Sequence, residues 1–118
     1  MPDLERDTIF LLKPDFEDPA WPNQRFYCWH CALIDGVLGS FPDLLAGLDI
    51  RHINWPRPRH DVIALLGEDH QLLPVMILKS GDTSSLQTGT ANGHAFIDGK
   101  DNILLALSER HGFPVPHP

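Results

Sequence analysis

The only two cysteines of this 118-residue chain fall within four residues, Cys28-Trp29-His30-Cys31. Dithiol redox chemistry needs that spacing. A thiol exposed at a helix N-terminus faces unpaired backbone N–H groups and the positive end of the helix dipole, and both favour the thiolate. A second thiol three residues on lies close to the same face and can attack the mixed disulfide formed by the first. Cys28 is therefore the candidate nucleophile. Cys31, one turn deeper and less exposed, is the candidate resolving thiol. His30 would hold positive charge near the thiolate, or else stand as an ordinary exposed imidazole. Two other uses of the pair compete with redox chemistry. One is burial as small apolar side chains. The other is zinc ligation completed by some of the seven histidines, although no second cysteine pair supplies the other half-site.

The elements that must position these thiols follow from the apolar pattern. Thr8-Ile9-Phe10-Leu11-Leu12 is a compact apolar run ending at Lys13-Pro14 and predicts a buried central strand. Residues 14–27 carry Pro14, Pro19 and Pro22 among Phe16, Trp21, Phe26 and Tyr27. Prolines at that density exclude a helix, and the aromatics imply a packed loop. Ile34, Val37, Leu38 and Phe41 lie at helical offsets, so a helix should begin at the cysteines and end near Gly39 to Pro42, with one more turn at Asp43-Leu44-Leu45.

Leu48 to Ile53 alternates apolar and polar as a half-buried strand does. After the connector Trp55-Pro56-Arg57-Pro58, a short helix through Val62, Ile63, Leu65 and Leu66 should stop at Gly67. The run Arg57-Pro58-Arg59-His60 reads as a solvated loop, with charge that could contact an anion. Leu72 to Leu78 predicts another buried strand with Pro74 near its start, where a proline does least damage. Ser80 to Gly93 reads as polar loop, Ala95-Phe96-Ile97 as a short strand before the Asp98-Gly99 turn, and Asp101 to Gly112 as the last helix. The order is β-α-β-α-β-β-α. That order predicts an α/β fold with a four-stranded mixed sheet and helices on both faces, in a single domain over residues 1–118.

Apolar residues make up 42% of the chain, and acids outnumber bases by 16 to 9. A soluble globular protein is expected, without a basic surface for nucleic acid. No apolar run approaches the ~20 residues of a membrane span. The start, Met1 to Asp7, is acidic and has no apolar signal region, so a cytoplasmic location is the default expectation. There a Cys-x-x-Cys is catalytic or metal-binding more often than a lasting structural bond.

A Cys-x-x-Cys after the first strand, with Leu73-Pro74-Val75 opening the third, resembles the thioredoxin-like superfamily. The resemblance implies a cis Pro74 facing the cysteines, with the Leu73 backbone free to pair with an extended thiol peptide. More closely, Phe10-Leu11-Leu12-Lys13-Pro14, Arg25-Phe26-Tyr27-Cys28 and Glu109-Arg110-His111-Gly112-Phe113-Pro114 resemble a bacterial domain-of-unknown-function family, numbered 3088. Tyr27 stands where thioredoxins usually carry Trp, and Trp29 where glutaredoxins usually carry Pro; flanking Cys28, both are expected substrate contacts. In glutaredoxins and glutathione-transferase N-domains, the turn that corresponds to Asp98-Gly99-Lys100-Asp101 grips the γ-glutamyl end of glutathione. By that likeness Asp101 would accept from the amine and Lys100 would meet a carboxylate. Capping of the last helix by Asp98 or Asp101 is the competing reading.

Residues and resemblance together lead to an expected thiol–disulfide oxidoreductase-like protein. Its partner would be a protein or a low-molecular-weight thiol or disulfide, with glutathione the implied cofactor. A non-catalytic thioredoxin-like binding module and a small zinc-binding protein stand beside it as alternatives.

Overall fold

A computed structural model describes residues 3–118. In chain order the elements are β1 (Asp7–Leu12), α1 (Trp29–Ser40), β2 (Leu48–Ile53), α2 (His60–Leu66), β3 (Val75–Ile77), β4 (Gly89–Ala91), β5 (His94–Asp98) and α3 (Lys100–His111). A 3-10 turn, Pro42–Leu44, follows α1. The fold is α/β. Its mixed sheet has the order β2-β1-β3-β5-β4. β1 and β2 are parallel, joined across α1, whereas β3 runs antiparallel to β1 and to β5.

Strand alternation divides the core in two. Ile9 and Leu11, Met76 and Leu78, and Ile97 face α1 and α3, where Cys31, Ile34, Leu38, Ile103, Leu104 and Leu107 close over them. Phe10, Val75, Ile77 and Phe96 point the other way and pack against Val62, Leu65 and Leu66 of α2. Every residue of β1 is buried, as a strand covered by helices on both faces requires. That explains why it reads as a continuous apolar run.

The sheet has five strands, not four. The strand missing from the sequence reading is β4, inside the stretch taken as polar loop. β4 and β5 form a hairpin on Asn92-Gly93, with φ values of 50° and 78°. Both central residues are left-handed, as a tight hairpin turn requires, and Asn-Gly supplies that at low cost. β4 itself is Gly-Thr-Ala, without the apolar alternation that marks a strand. Gly89 pairs directly with Phe96, and an added Cβ there would meet the Phe96 ring at 2.5 Å. The missing side chain lets the ring lie against the β4 backbone.

α3 ends as its sequence implies. Gly112 takes φ 74°, its N–H donates to Ser108 C=O, and the Phe113 N–H donates back to Leu107 C=O at 3.2 Å. This left-handed glycine closure returns Phe113 to the core, edge-on to Phe41. Neither Asp98 nor Asp101 caps the start of α3: the cap is Gly99, with no side-chain hydrogen bond.

Candidate dithiol site

Cys28 is the N-cap residue of α1, in extended conformation, and its Sγ accepts the Cys31 N–H at 3.2 Å. A sulfur thus takes the place that Ser or Asp usually fills at a helix start. No acidic residue occupies the first turn, so the field of the helix end reaches the sulfur without a competing carboxylate. Cys28 is partly exposed and Cys31 is buried, and neither is in a disulfide. Cys31 packs in the larger core cluster, with its Sγ 3.5 Å from the Leu12 backbone nitrogen at the end of β1. Burial, first, and its hydrogen bond to Cys28 push the Cys31 thiol up to about 12. The pair is therefore asymmetric, one sulfur accessible and the other kept protonated by burial.

β3 brings Leu73 and Pro74 to the same end of the sheet. Val75 pairs with Phe10 in an antiparallel register. Leu73 and Pro74 lead directly into that pairing, on the side toward Leu11 and Leu12, the residue whose N–H meets Cys31. Pro74 is buried, Leu73 is half-buried, and the bond between them is cis. Leu73 and Cys28 both border the apolar cluster that contains Cys31.

The residues flanking Cys28 are open to solvent, Tyr27 at 66% and Trp29 at 61% exposure. Lys100 Nζ lies 5.4 Å over the Trp29 ring, which places the first residue of α3 beside the start of α1. Asp101 is exposed and pairs with Lys100 at 3.3 Å. The His30 ring stacks edge-on against Trp29, centroids 3.9 Å apart. Among the described residues it makes no hydrogen bond to either sulfur.

The proline-rich loop is packed, as its aromatics imply. Phe16 and Phe26 exchange backbone hydrogen bonds, Arg25 grips Asp15, and Phe16 stacks on Trp55 at 5.5 Å. Trp55 in turn leads to a residue that the sequence reading misplaced. Arg59 is not in a solvated loop; it is 8% exposed. Its Nε and Nη2 donate to Trp55 C=O and its Nη1 donates to Gln71 C=O, while its own N–H donates to Gln71 Oε1. The flanking prolines and charges suggested solvent. The contrary signal was an arginine just ahead of a helix with an apolar stripe, where the first-turn side chain can fold back under the connector.

Among the described residues no cluster of three or more His, Cys, Asp or Glu side chains could hold a metal ion. Zinc at Cys28 and Cys31 would lack its second half-site. Nor is any described helix long and apolar enough to cross a membrane.

A family model described as Protein of unknown function (DUF3088) matches residues 6–115, and the chain belongs to that family. No curated protein and no solved structure matches it.

Proposed function

We propose that this DUF3088 protein is a thiol–disulfide oxidoreductase on a thioredoxin-like fold, with Cys28 as nucleophile and Cys31 as resolving thiol. The observation that carries the reading is Cys28 Sγ capping α1 while a protonated, buried Cys31 lies one turn below it. The strand order, with β1 parallel to β2 and antiparallel to β3, and the position of Pro74 directly before β3 support the fold reading.

Each step conserves atoms and electrons. The Cys28 thiolate attacks one sulfur of a substrate disulfide, forming a mixed disulfide and expelling the other sulfur as a thiolate, which takes a proton from solvent. Cys31 then loses its proton and attacks Cys28 Sγ. The second substrate thiolate leaves, and a Cys28–Cys31 disulfide remains. Two electrons pass from the dithiol to the substrate, and two equivalents of an external thiol such as glutathione restore the reduced pair, leaving as their own disulfide. The order of events is built into the contact between the sulfurs. Part of what holds the Cys31 proton is its hydrogen bond to Cys28 and the negative charge there, and both vanish once Cys28 is tied up in a mixed disulfide.

An extended substrate would lie along the Leu73 backbone, flanked by Tyr27 and Trp29. Lys100 and Asp101 at the start of α3 are the groups available to a glutathione γ-glutamyl end. The test is reduction of a glutathione–peptide mixed disulfide by the reduced protein. Cys28→Ser should abolish turnover, and Cys31→Ser should trap a Cys28-linked adduct visible by mass. Full activity in Cys28→Ser overturns the reading and leaves the binding module, favoured by the exposure of Tyr27, Trp29 and Leu72 around the site, as the better account.

A further inference from the structure

Arg59 is a buried cation without an anion. Among the described residues no carboxylate lies within ion-pair distance of it, although burying an unpaired charge is strongly unfavourable. Its side-chain hydrogen bonds go to two carbonyl groups, which orient the guanidinium but leave its full positive charge. Those carbonyls belong to the two segments that border the dithiol. Trp55 stands two residues beyond Ile53, the β2 residue paired with Leu12, and Leu12 carries the N–H in contact with Cys31 Sγ. Gln71 stands two residues before Leu73. Trp55, Leu73 and Cys28 all border the same apolar cluster around Cys31.

We propose that Arg59 is the positioning cation of the dithiol: its guanidinium, pinned by carbonyls of the two segments that border the cysteines, stabilises negative charge on Cys28. The role rests on the oxidoreductase reading only for its purpose; the charge effect itself is read out on the resting reduced protein. Burial, first, and the like charge of exposed Arg57 pull the Arg59 guanidinium below the usual arginine range, while the sulfurs of Cys31 and Cys28 pull it back up. It stays cationic at neutral pH. Attraction between such a cation and a thiolate is reciprocal, and it is screened less for a cation held in a buried side chain than for one free at the surface. His30, pressed against Trp29, is not needed for this task.

Two substitutions separate charge from clamp. Arg59→Gln keeps an amide donor for one of the carbonyls and removes the charge. Arg59→Lys keeps the charge and loses the fork that spans both carbonyls. The readouts are alkylation of Cys28 by iodoacetamide at pH 7, located by mass, and thiolate absorbance near 240 nm, on the reduced protein with no disulfide substrate. Thermal unfolding checks the fold of each variant. Cys28 alkylation in Arg59→Gln should slow roughly tenfold with a matching loss of absorbance, and Arg59→Lys should stay within about twofold of the parent.

An unchanged rate in Arg59→Gln overturns the proposal. So does an equal loss in both folded variants, which would make Arg59 a clamp only. Where Arg59→Gln does not fold, Arg59→Met removes the charge in its place: slowed Cys28 alkylation beside a near-parental Arg59→Lys supports the charge role, and a parental rate in folded Arg59→Met overturns it. Because no disulfide is turned over, a protein inactive as a reductase whose Cys28 still depends on the Arg59 charge would sink the proposed function and leave this inference standing.

Discussion

Cys28 and Cys31 are chemically the same residue placed in different surroundings. Cys28 is partly exposed with its Sγ at the helix end, and Cys31 Sγ sits in an apolar cluster with one backbone N–H. With its thiol pushed up to about 12, Cys31 carries a negligible thiolate fraction at pH 8, and only thiolates react with alkylating agents at useful rates. The reduced protein treated with excess iodoacetamide at pH 8 should therefore take up one equivalent, at Cys28. Cys31 should react only after unfolding in guanidinium chloride. Peptide mass mapping checks both halves, and alkylation of both thiols at similar rates in the folded protein would remove the asymmetry on which the proposed mechanism depends.

Elements with a strong periodic signal were legible from sequence, and those built on backbone geometry were not. The helix beginning at the cysteines was visible because Ile34 and Leu38 must face the sheet, and β1 because both its faces are covered. The site was partly legible in the same way: the cysteine spacing and Pro74 were readable, whereas the burial of Arg59 depends on carbonyls at Trp55 and Gln71 that no local pattern marks. β4 was hidden since its identity rests on Asn92-Gly93 and on the absence of a side chain at Gly89. That absence can be tested. A methyl group added at Gly89 would press on Phe96, 4% exposed and packed among the residues under α2. Gly89→Ala should cost about 1–3 kcal/mol in urea unfolding, the usual range for overpacking a core. Cys28 alkylation should be unaffected, because β4 is the edge strand furthest from β2 in the sheet. A neutral effect on stability would mean that the ring moves aside freely.

At the scale of the whole molecule, the chain is locked at the end of β1 opposite the cysteines. Asp7, 2% exposed, accepts from Arg110 Nε and Nη2 at 2.7 and 2.9 Å, meets His111 Nε2 at 2.7 Å, and accepts the Lys79 N–H at 2.8 Å. Arg110 also reaches Asp82 at 2.7 Å. One carboxylate thus ties the first strand to the last helix and to the loop after β3, which accounts for two residues of the Glu109-to-Pro114 motif that lie far from the thiols. Burial alone would raise the Asp7 carboxyl, but the bonds from His111, Arg110 and Lys79 outweigh it and hold the group well below the usual carboxylate range.

The sign of the pH dependence follows. An acid depressed in the folded state binds its proton more readily when unfolded, so its stabilisation is complete above the unfolded value of about 4 and drains away as pH falls below it. Asp15 is also lowered, by Arg25, but that pair is at the surface and contributes little. Asp7→Asn should therefore cost about 3 kcal/mol near pH 7, the scale for removing one partner of a buried pair. The gap from the parent should narrow steadily between about pH 4 and pH 2, followed by urea unfolding at each pH. Cys28 reactivity should not change, since five residue steps of extended strand, about 17 Å, separate this clamp from Leu12. Stability curves that stay parallel down to about pH 2 would mean that the acid sensitivity of the fold resides in other carboxylates, and that the cost of Asp7→Asn comes from lost hydrogen bonds and not from the lost charge.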